Sequence, residues 1–485
     1  MKRTFHLQGV DDFHPKDLFA EESTLFVSVL KWSILASITG VVVGSATSLF
    51  LYLLKVFIGG GDFLTRGHAY FLLPVIMPLV VFIIRKLAPA AEGHGTEKVI
   101  EAVHTRDGAI DTKVVPVKLF ATLLTLGAGG SVGKEGPAAQ IGGGLAYWFA
   151  RIIRLNRLDA KRLVICGISA GFAAVFGTPI SGAIFGAEVL YLGLLQYNVM
   201  FPCLVAGVVA HLFCQTVYHI PSRLITAENF TKSHAESVLW ALLAGLFFGF
   251  LALLLIEALN FGESIKEKLN LNPEQTGLFG GILLIGIFLI SPQSSGLGTD
   301  LLAASLSGGH VPVFTAWWKI IATSVTLGFG GSGGIVTPIF VIGSSAGAAL
   351  APYLGIPPVL LAAFGMVALL SAGAGTPIAA SVMALELFGP EIGTYAALAC
   401  CTAYIVVGHR SVYPSQILGA SKSMSIEILE PNARVDDSTE IGFHTRSNTG
   451  LYWFGKLAKA LKRHHKKEHL PPPPQPSDSD GKDGS

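Results

Sequence analysis

One stretch of this chain occurs twice. Lys118 to Pro137 reads KLFATLLTLGAGGSVGKEGP and Lys319 to Pro338 reads KIIATSVTLGFGGSGGIVTP, with eleven of twenty positions matching at an offset of 201. A similar turn precedes each copy, Gly93-His94-Gly95-Thr96-Glu97 and Gly296-Leu297-Gly298-Thr299-Asp300. Behind them, Gly177-Thr178-Pro179-Ile180 pairs with Gly375-Thr376-Pro377-Ile378, and Glu188 with Glu386. Three landmarks in the same order mark two related halves rather than generic glycine packing.

The solvent of this fold follows from charge. Only 14% of the 485 residues are charged and 51% are hydrophobic, where a soluble domain carries about 25% charged residues. That excludes an ordinary cytosolic enzyme and a disordered chain. The 34 Lys+Arg against 32 Asp+Glu leave +2, so nothing implies a nucleic-acid partner. Apolar runs such as Ser28–Phe57, Tyr70–Ile84, Phe201–Val217, Val238–Leu259 and Gly277–Ile290 approach or exceed the roughly 20 residues that cross a bilayer. Shorter pieces between them, including Lys118–Gly127, Arg162–Phe176, Pro179–Leu190 and Pro377–Phe388, read as half-helices or tilted segments. Such breaks are tolerated in lipid only where protein or a water-filled cavity satisfies the backbone. The expected fold is an all-α integral membrane protein, multi-pass in the cell membrane, with the bilayer as a partner. Broken helices at matching points of two halves point to a transporter's binding site. The Arg-rich linker Arg151–Arg162 leaves the orientation open. The five cysteines sit in apolar stretches without metal-ligand spacing and read as small packing residues; neither a metal nor a cofactor is implied. Met1 to Glu22 is polar and mixed in charge, which is no cleavable signal.

The chemistry lies at the breaks. In Gly133-Lys134-Glu135-Gly136-Pro137 the proline suits the first helical position, because its missing N–H needs no partner there. The glycines let backbone N–H groups approach a ligand. Gly334-Ile335-Val336-Thr337-Pro338 repeats the design. Two helix N-termini inside a membrane present free donors and positive dipole ends, which favour an anion. Glu135 is itself an anion at such a site. Ionised, it plugs the pathway as a tethered substitute; protonated, it lets go. The plainer alternative is a first-turn Glu complementing the helix dipole, but intramembrane carboxylates default to function.

With these motifs the chain resembles the CLC family of chloride channels and chloride/proton exchangers over about residues 25–421. Gly133–Pro137 matches the family's GREGP motif, so the resemblance makes Glu135 the gating glutamate. Gly93–Glu97 resembles GSGIP and Gly334–Pro338 resembles GxFxP, while Ser411-Val412-Tyr413 resembles the segment with the anion-coordinating tyrosine. The implied anion ligands are His94, Gly95, Thr96, Gly133, Lys134, Gly136, Ile335, Val336, Thr337 and Tyr413. The implied architecture is a multi-helix inverted repeat with broken and re-entrant helices, in a homodimer with one pore per subunit. Chloride or another small halide and protons are the implied partners, with fluoride/proton exchange as the alternative to chloride. Lys134 replaces the usual Arg, and Val336 replaces the Phe. His94 replaces an anion-binding Ser or Pro; it donates a ring N–H to the anion, titrates, or serves as a structural loop histidine. The exchangers' inner proton glutamate falls at Val189. This weakens strict coupling and leaves channel against antiporter open. Glu188, one residue earlier, reads as a helix-end residue shared with Glu386.

The expected organisation is a cytoplasmic N-terminal segment (1–24), a membrane domain (25–421, halves about 25–220 and 235–421), a polar tail (422–469) and a disordered tail (470–485). Leu451–His465 reads as a basic amphipathic helix, either on an anionic leaflet or simply solvated. The tail is too short for the paired nucleotide-binding domains of many eukaryotic relatives. A rival reading, an intramembrane serine hydrolase, rests on Gly343-Ser344-Ser345-Ala346-Gly347 fitting G-x-S-x-G. No strand precedes it and the sequence places no base beside it, so it reads as small-residue helix packing, and no enzyme is expected.

Overall fold

The computed structural model describes residues 15–218, 234–423, 426–430, 433–435 and 441–443. Its first half runs α1 (Pro15–Thr65), α2 (Leu73–Leu87), α3 (Thr96–Thr105), α4 (Val114–Gly127), α5 (Glu135–Ile152), α6 (Arg157–Phe176), α7 (Pro179–Glu188) and α8 (Tyr197–Tyr218). The second runs α9 (His234–Leu269), α10 (Pro273–Ile290), α11 (Thr299–Leu306), α12 (Thr315–Gly328), α13 (Val336–Leu354), α14 (Pro358–Ala374), α15 (Pro377–Phe388) and α16 (Pro390–Val406). Helix for helix, the second set repeats the first, so the repeat extends well beyond its twenty best-matched residues.

Six helices are long and apolar enough to cross a membrane. Among them α13 is 83% buried over its most apolar window, against 33–44% for the other five. A helix this enclosed is the interior of the protein, while α1 and α9 turn Leu25, Phe26, Leu49, Leu243 and Phe250 outward. In water, exposed apolar area on this scale would aggregate; in lipid it is the required surface.

The halves are locked by exchanged bonds. The Gly133 amide donates to the Gly334 carbonyl (2.6 Å) and the Gly334 amide returns the bond to the Gly133 carbonyl (2.7 Å), in an antiparallel bridge. Around it, the Ser131 amide donates to Thr326 Oγ1 and the Ser332 amide to Thr125 Oγ1, at 3.2 and 3.1 Å. Each of these residues is the repeat mate of its counterpart at the 201 offset, so a two-fold axis passes between the loops. Helices α5 and α13 start just after this antiparallel bridge, as an inverted repeat requires.

Three local expectations are corrected. Helices α5 and α13 begin at Glu135 and Val336, two residues before their prolines. Pro137 and Pro338 therefore occupy the third position, still within the turn whose N–H groups lack intrahelical partners. Arg162–Phe176 belongs to a 20-residue helix rather than a half-helix, because Asn156 caps it by accepting from the Asp159 amide. Cys401 is exposed, unlike the other four cysteines. The G-x-S-x-G run lies inside α13: the Ser345 hydroxyl donates to the Ile342 carbonyl (3.2 Å), and Gly343 and Gly347 abut the backbone of Gly365 and Leu361. After α16 the chain doubles back, with β2 (Ile417–Leu418) parallel to β1 (Tyr191–Leu192). A short antiparallel pair, β3 (Ile426–Ile428) with β4 (Ile441–Phe443), follows. The basic helix expected at Leu451–His465, the tail 470–485 and residues 1–14 lie outside the described residues.

Candidate anion site at the meeting of the two halves

Glu135 is the first residue of α5 and is fully buried. Its carboxylate turns across the two-fold to the start of α13, where the Thr337 amide donates to Oε2 (3.1 Å) and the Thr337 hydroxyl donates to Oε1 (2.5 Å). A carboxyl side chain of one half thus occupies the helix N-terminus of the other, the place where free donors and the positive dipole end favour an anion. Only glycine fits beneath it, since a Cβ on Gly133 would stand 2.6 Å from Glu135 Oε2 and 3.1 Å from the Gly334 carbonyl oxygen. Val336, the repeat mate of Glu135, is buried and apolar. The two-fold is therefore broken in charge at its centre.

The turn before α3 forms the second wall. Gly95 has φ +78 and its Cα faces the Gly136–Pro137 backbone so closely that a Cβ would overlap it. The His94 carbonyl packs equally closely on Gly136. His94 Nδ1 is buried without a hydrogen-bond partner. Opposite, Tyr413 is fully buried and its hydroxyl also lacks a partner. The segment carrying it docks on the end of α14, with the Val412 amide on the Gly373 carbonyl (2.8 Å) and the Ser411 hydroxyl on the same oxygen (3.2 Å). A cavity of about 250 Å3 lined by His94, Asn260, Glu263, Arg410, Ser411 and Val412 leads to this wall. The mate of the turn, at Gly296–Asp300, lines another cavity of about 500 Å3 with Asp62, Tyr70 and His310.

Of the expected ligands, Glu135 and Thr337 are in contact, and His94, Gly95 and Gly136 adjoin them. Ile335 and Val336 are buried beside Thr337, and Lys134 is half-buried at the cap of α5. Two backbone donors are spent elsewhere. The Gly133 amide is consumed by Gly334, which removes it from the expected set of ligands. The Thr96 amide closes a turn onto the His94 carbonyl (3.0 Å), which takes that amide out of the expected set of ligands.

Two features were not anticipated. Lys118 and Lys319 are fully buried, and each tethers the turn of its own half. Lys118 Nζ donates to the Ala91 and Gly93 carbonyls at 3.1 and 2.6 Å; Lys319 Nζ donates to Ser294 and Gly296 at 3.1 and 2.7 Å. The available signal was that both lysines open the repeated twenty residues. The second feature is a proton-bearing candidate, Glu97, whose carboxylate accepts from the Ser415 amide (2.9 Å); nothing in the spacing of residues 318 apart reveals that contact.

A two-fold membrane core with broken helices and a carboxylate on an amide-lined helix end defines an inverted-repeat transport protein. The chain belongs to the voltage gated chloride channel family, the CLC proteins, whose family model matches residues 76–408. It is 36% identical over 417 residues to the chloride/fluoride channel protein of Pseudomonas syringae pv. tomato, covering 83% of this chain and 90% of that one. It is 26% identical over 343 residues to the H(+)/Cl(-) exchange transporter ClcA of Vibrio cholerae, 67% of this chain and 73% of that one. Among solved structures it is similar to a CLC-type fluoride/proton antiporter, with TM-score 0.76, 27% identity, and 81% and 99% of the two chains covered. A slow cyanobacterial Cl-/H+ antiporter shares the fold at TM-score 0.69 and 22% identity, over 78% and 94%.

Proposed function

We propose that this membrane protein moves a small halide, chloride in the first place, along a path gated by Glu135. The observation that carries the reading is the Glu135 carboxylate on the amide and hydroxyl of Thr337: a tethered anion on an anion site. Protonation cancels the charge that holds it there and frees the Thr337 amide and hydroxyl, so that a free halide takes its place among the amides of Gly136, Ile335, Val336 and Thr337. His94, Gly95, Thr96 and Tyr413 form the neighbouring wall, and Lys134 supplies positive charge at the cap of α5. Backbone dipoles suit this task because they attract an anion without holding it as a full counter-charge would. The protein works as a homodimer with a pathway in each subunit, following its family.

A second reading, fluoride/proton exchange, is favoured by its likeness to a fluoride/proton antiporter and to a relative named a chloride/fluoride channel protein. One experiment addresses both. Chloride and fluoride efflux from proteoliposomes is recorded with simultaneous proton movement, for the native chain and for Glu135→Gln. The native chain is expected to release halide faster as pH falls, and the variant to release it at a rate independent of pH. Unchanged flux and unchanged pH dependence in Glu135→Gln would remove the gate from Glu135. Uphill proton movement driven by a halide gradient identifies exchange, and the halide that drives it names the substrate.

A further inference from the structure

If a proton reaches Glu135 from the side of His94, something must carry it through the protein. The family's relay position cannot do so here. Val189 is fully buried and apolar, and its carbonyl accepts from Gln416 Nε2 at 2.7 Å. Four carboxylates lie on or near the meeting of the two halves: Glu97, Glu135, Glu188 and Glu386. Glu188 and Glu386 have both oxygens bonded to backbone amides, and Glu135 has both on Thr337. Glu97 differs. Its Oε1 accepts from the Ser415 amide, while its Oε2 is buried with no hydrogen-bond partner, and no ion pair reaches it among the described residues. A bare carboxylate oxygen away from water is strongly unfavourable, whereas a carboxylic acid with its proton on that oxygen is not.

Glu97 is also in the right place. It follows the turn that interlocks with Gly136, and it accepts from the backbone amide two residues beyond the buried Tyr413. The unpartnered His94 Nδ1, Glu97 Oε2 and Tyr413 hydroxyl belong to this same wall. We propose that Glu97 is a proton-carrying residue of the transport cycle, taking a proton from the His94 side and passing it toward Glu135 past Tyr413. The inference rests on the reading of Glu135 as a protonatable gate. An ionised Glu97 beside an occupied anion site would repel the halide, so an occupied site favours the protonated acid. The other charged groups around it are Lys98 and Glu101 of α3, which pair with each other at 2.9 Å, and Lys118 of α4 behind the His94 turn. None of them neutralises Oε2 directly.

Glu97→Gln keeps the acceptor for Ser415 and the side-chain volume but cannot exchange a proton. In proteoliposomes carrying a halide gradient, the protons moved per halide are expected to fall at least about a hundredfold, the lower edge of what a positioned acid supplies. Glu97→Asp is expected to restore part of the coupling. Infrared difference spectra across a pH titration of native protein in detergent should lose one protonated-carboxyl carbonyl band in Glu97→Gln, which reads the proton without requiring transport. Equal coupling in native and Glu97→Gln protein would overturn the relay alone and leave the gate standing. Halide flux with no proton movement in the native chain would remove coupling and relay together, while the pH dependence of Glu135→Gln still judges the gate. A band unchanged by the substitution would show that Glu97 never takes a proton.

Discussion

At the scale of single residues the site is decided by which polar atoms are already taken. The two glycine amides that look most available in the sequence, Gly133 and Gly334, satisfy each other. Thr337 is where the anion affinity is concentrated, because both its amide and its hydroxyl point at one carboxylate. Replacing it with Val keeps the shape and the amide but deletes the hydroxyl. A single hydrogen bond to a charged group is worth about 1.5 to 3 kcal/mol, so the carboxylate is held less firmly and released more readily. In Thr337→Val the curve of halide flux against pH is therefore expected to move toward alkaline pH, with the native shape retained. A curve that stays in place would show that the amide alone holds the gate. Glu135 was legible from sequence, since a carboxylate inside lipid demands a reason. Thr337 was legible as part of the motif, but its service to Glu135 was not: the bond crosses 202 residues and exists only because the halves fold against each other.

At the scale of elements, α7 and α15 show how two short helices survive in a membrane. Their cap residues Thr178 and Thr376 make no side-chain cap bond. Instead each helix is capped by the glutamate near the end of the other. Glu386 accepts from the Ile180 and Ser181 amides at 3.0 and 2.9 Å, and Glu188 from Ile378 and Ala379 at 3.0 and 2.8 Å. A carboxylate is disfavoured at its own helix C-terminus and favoured at a neighbour's N-terminus, so the clasp requires the helices to lie antiparallel. The sequence exposed Glu188 and Glu386 as a matched pair of helix-end residues, and the structure gives that pairing its cause. Glu386→Gln leaves one acceptor and turns an amide group toward a backbone N–H. The expected loss is about 1 to 2 kcal/mol, as for a deleted cap, read as a lower melting temperature in detergent. Glu188→Gln should lose a similar amount, and the double variant should fall short of the sum because the two caps share both helices. A melting temperature unmoved in Glu386→Gln would mean the clasp contributes nothing to stability. The same scale explains the errors in helix bounds. Pro137 and Pro338 suit a helix start, yet the reciprocal Gly133–Gly334 bridge stops the incoming chain earlier and lets α5 and α13 begin at Glu135 and Val336.

At the scale of the molecule, the fold is two-fold and the function is not. The backbone repeats across the axis, down to the lysines that tether each turn, but Glu135 corresponds to Val336, His94 to Leu297, and Thr337 to Gly136. An inverted repeat makes the two membrane faces equivalent in topology, so the side from which the gate senses protons is set by a few side chains alone. Exchanging the central pair tests this. Glu135→Val by itself should conduct halide without pH dependence, having no carboxylate to release. Adding Val336→Glu places the acid at the mate position, reaching back toward the start of α5 and the Gly136 amide. The double variant is then expected to regain pH dependence, now responding to pH on the opposite side of the proteoliposome membrane. Its latch should be weaker than the native one by about one charge-assisted hydrogen bond, 1.5 to 3 kcal/mol, because Gly136 offers an amide but no hydroxyl. Its flux should accordingly rise at a less acidic pH than the native flux does. If the double variant stays open at every pH on both sides, the two-fold governs the scaffold only, and the gate depends on Thr337 in a way that the other half cannot reproduce.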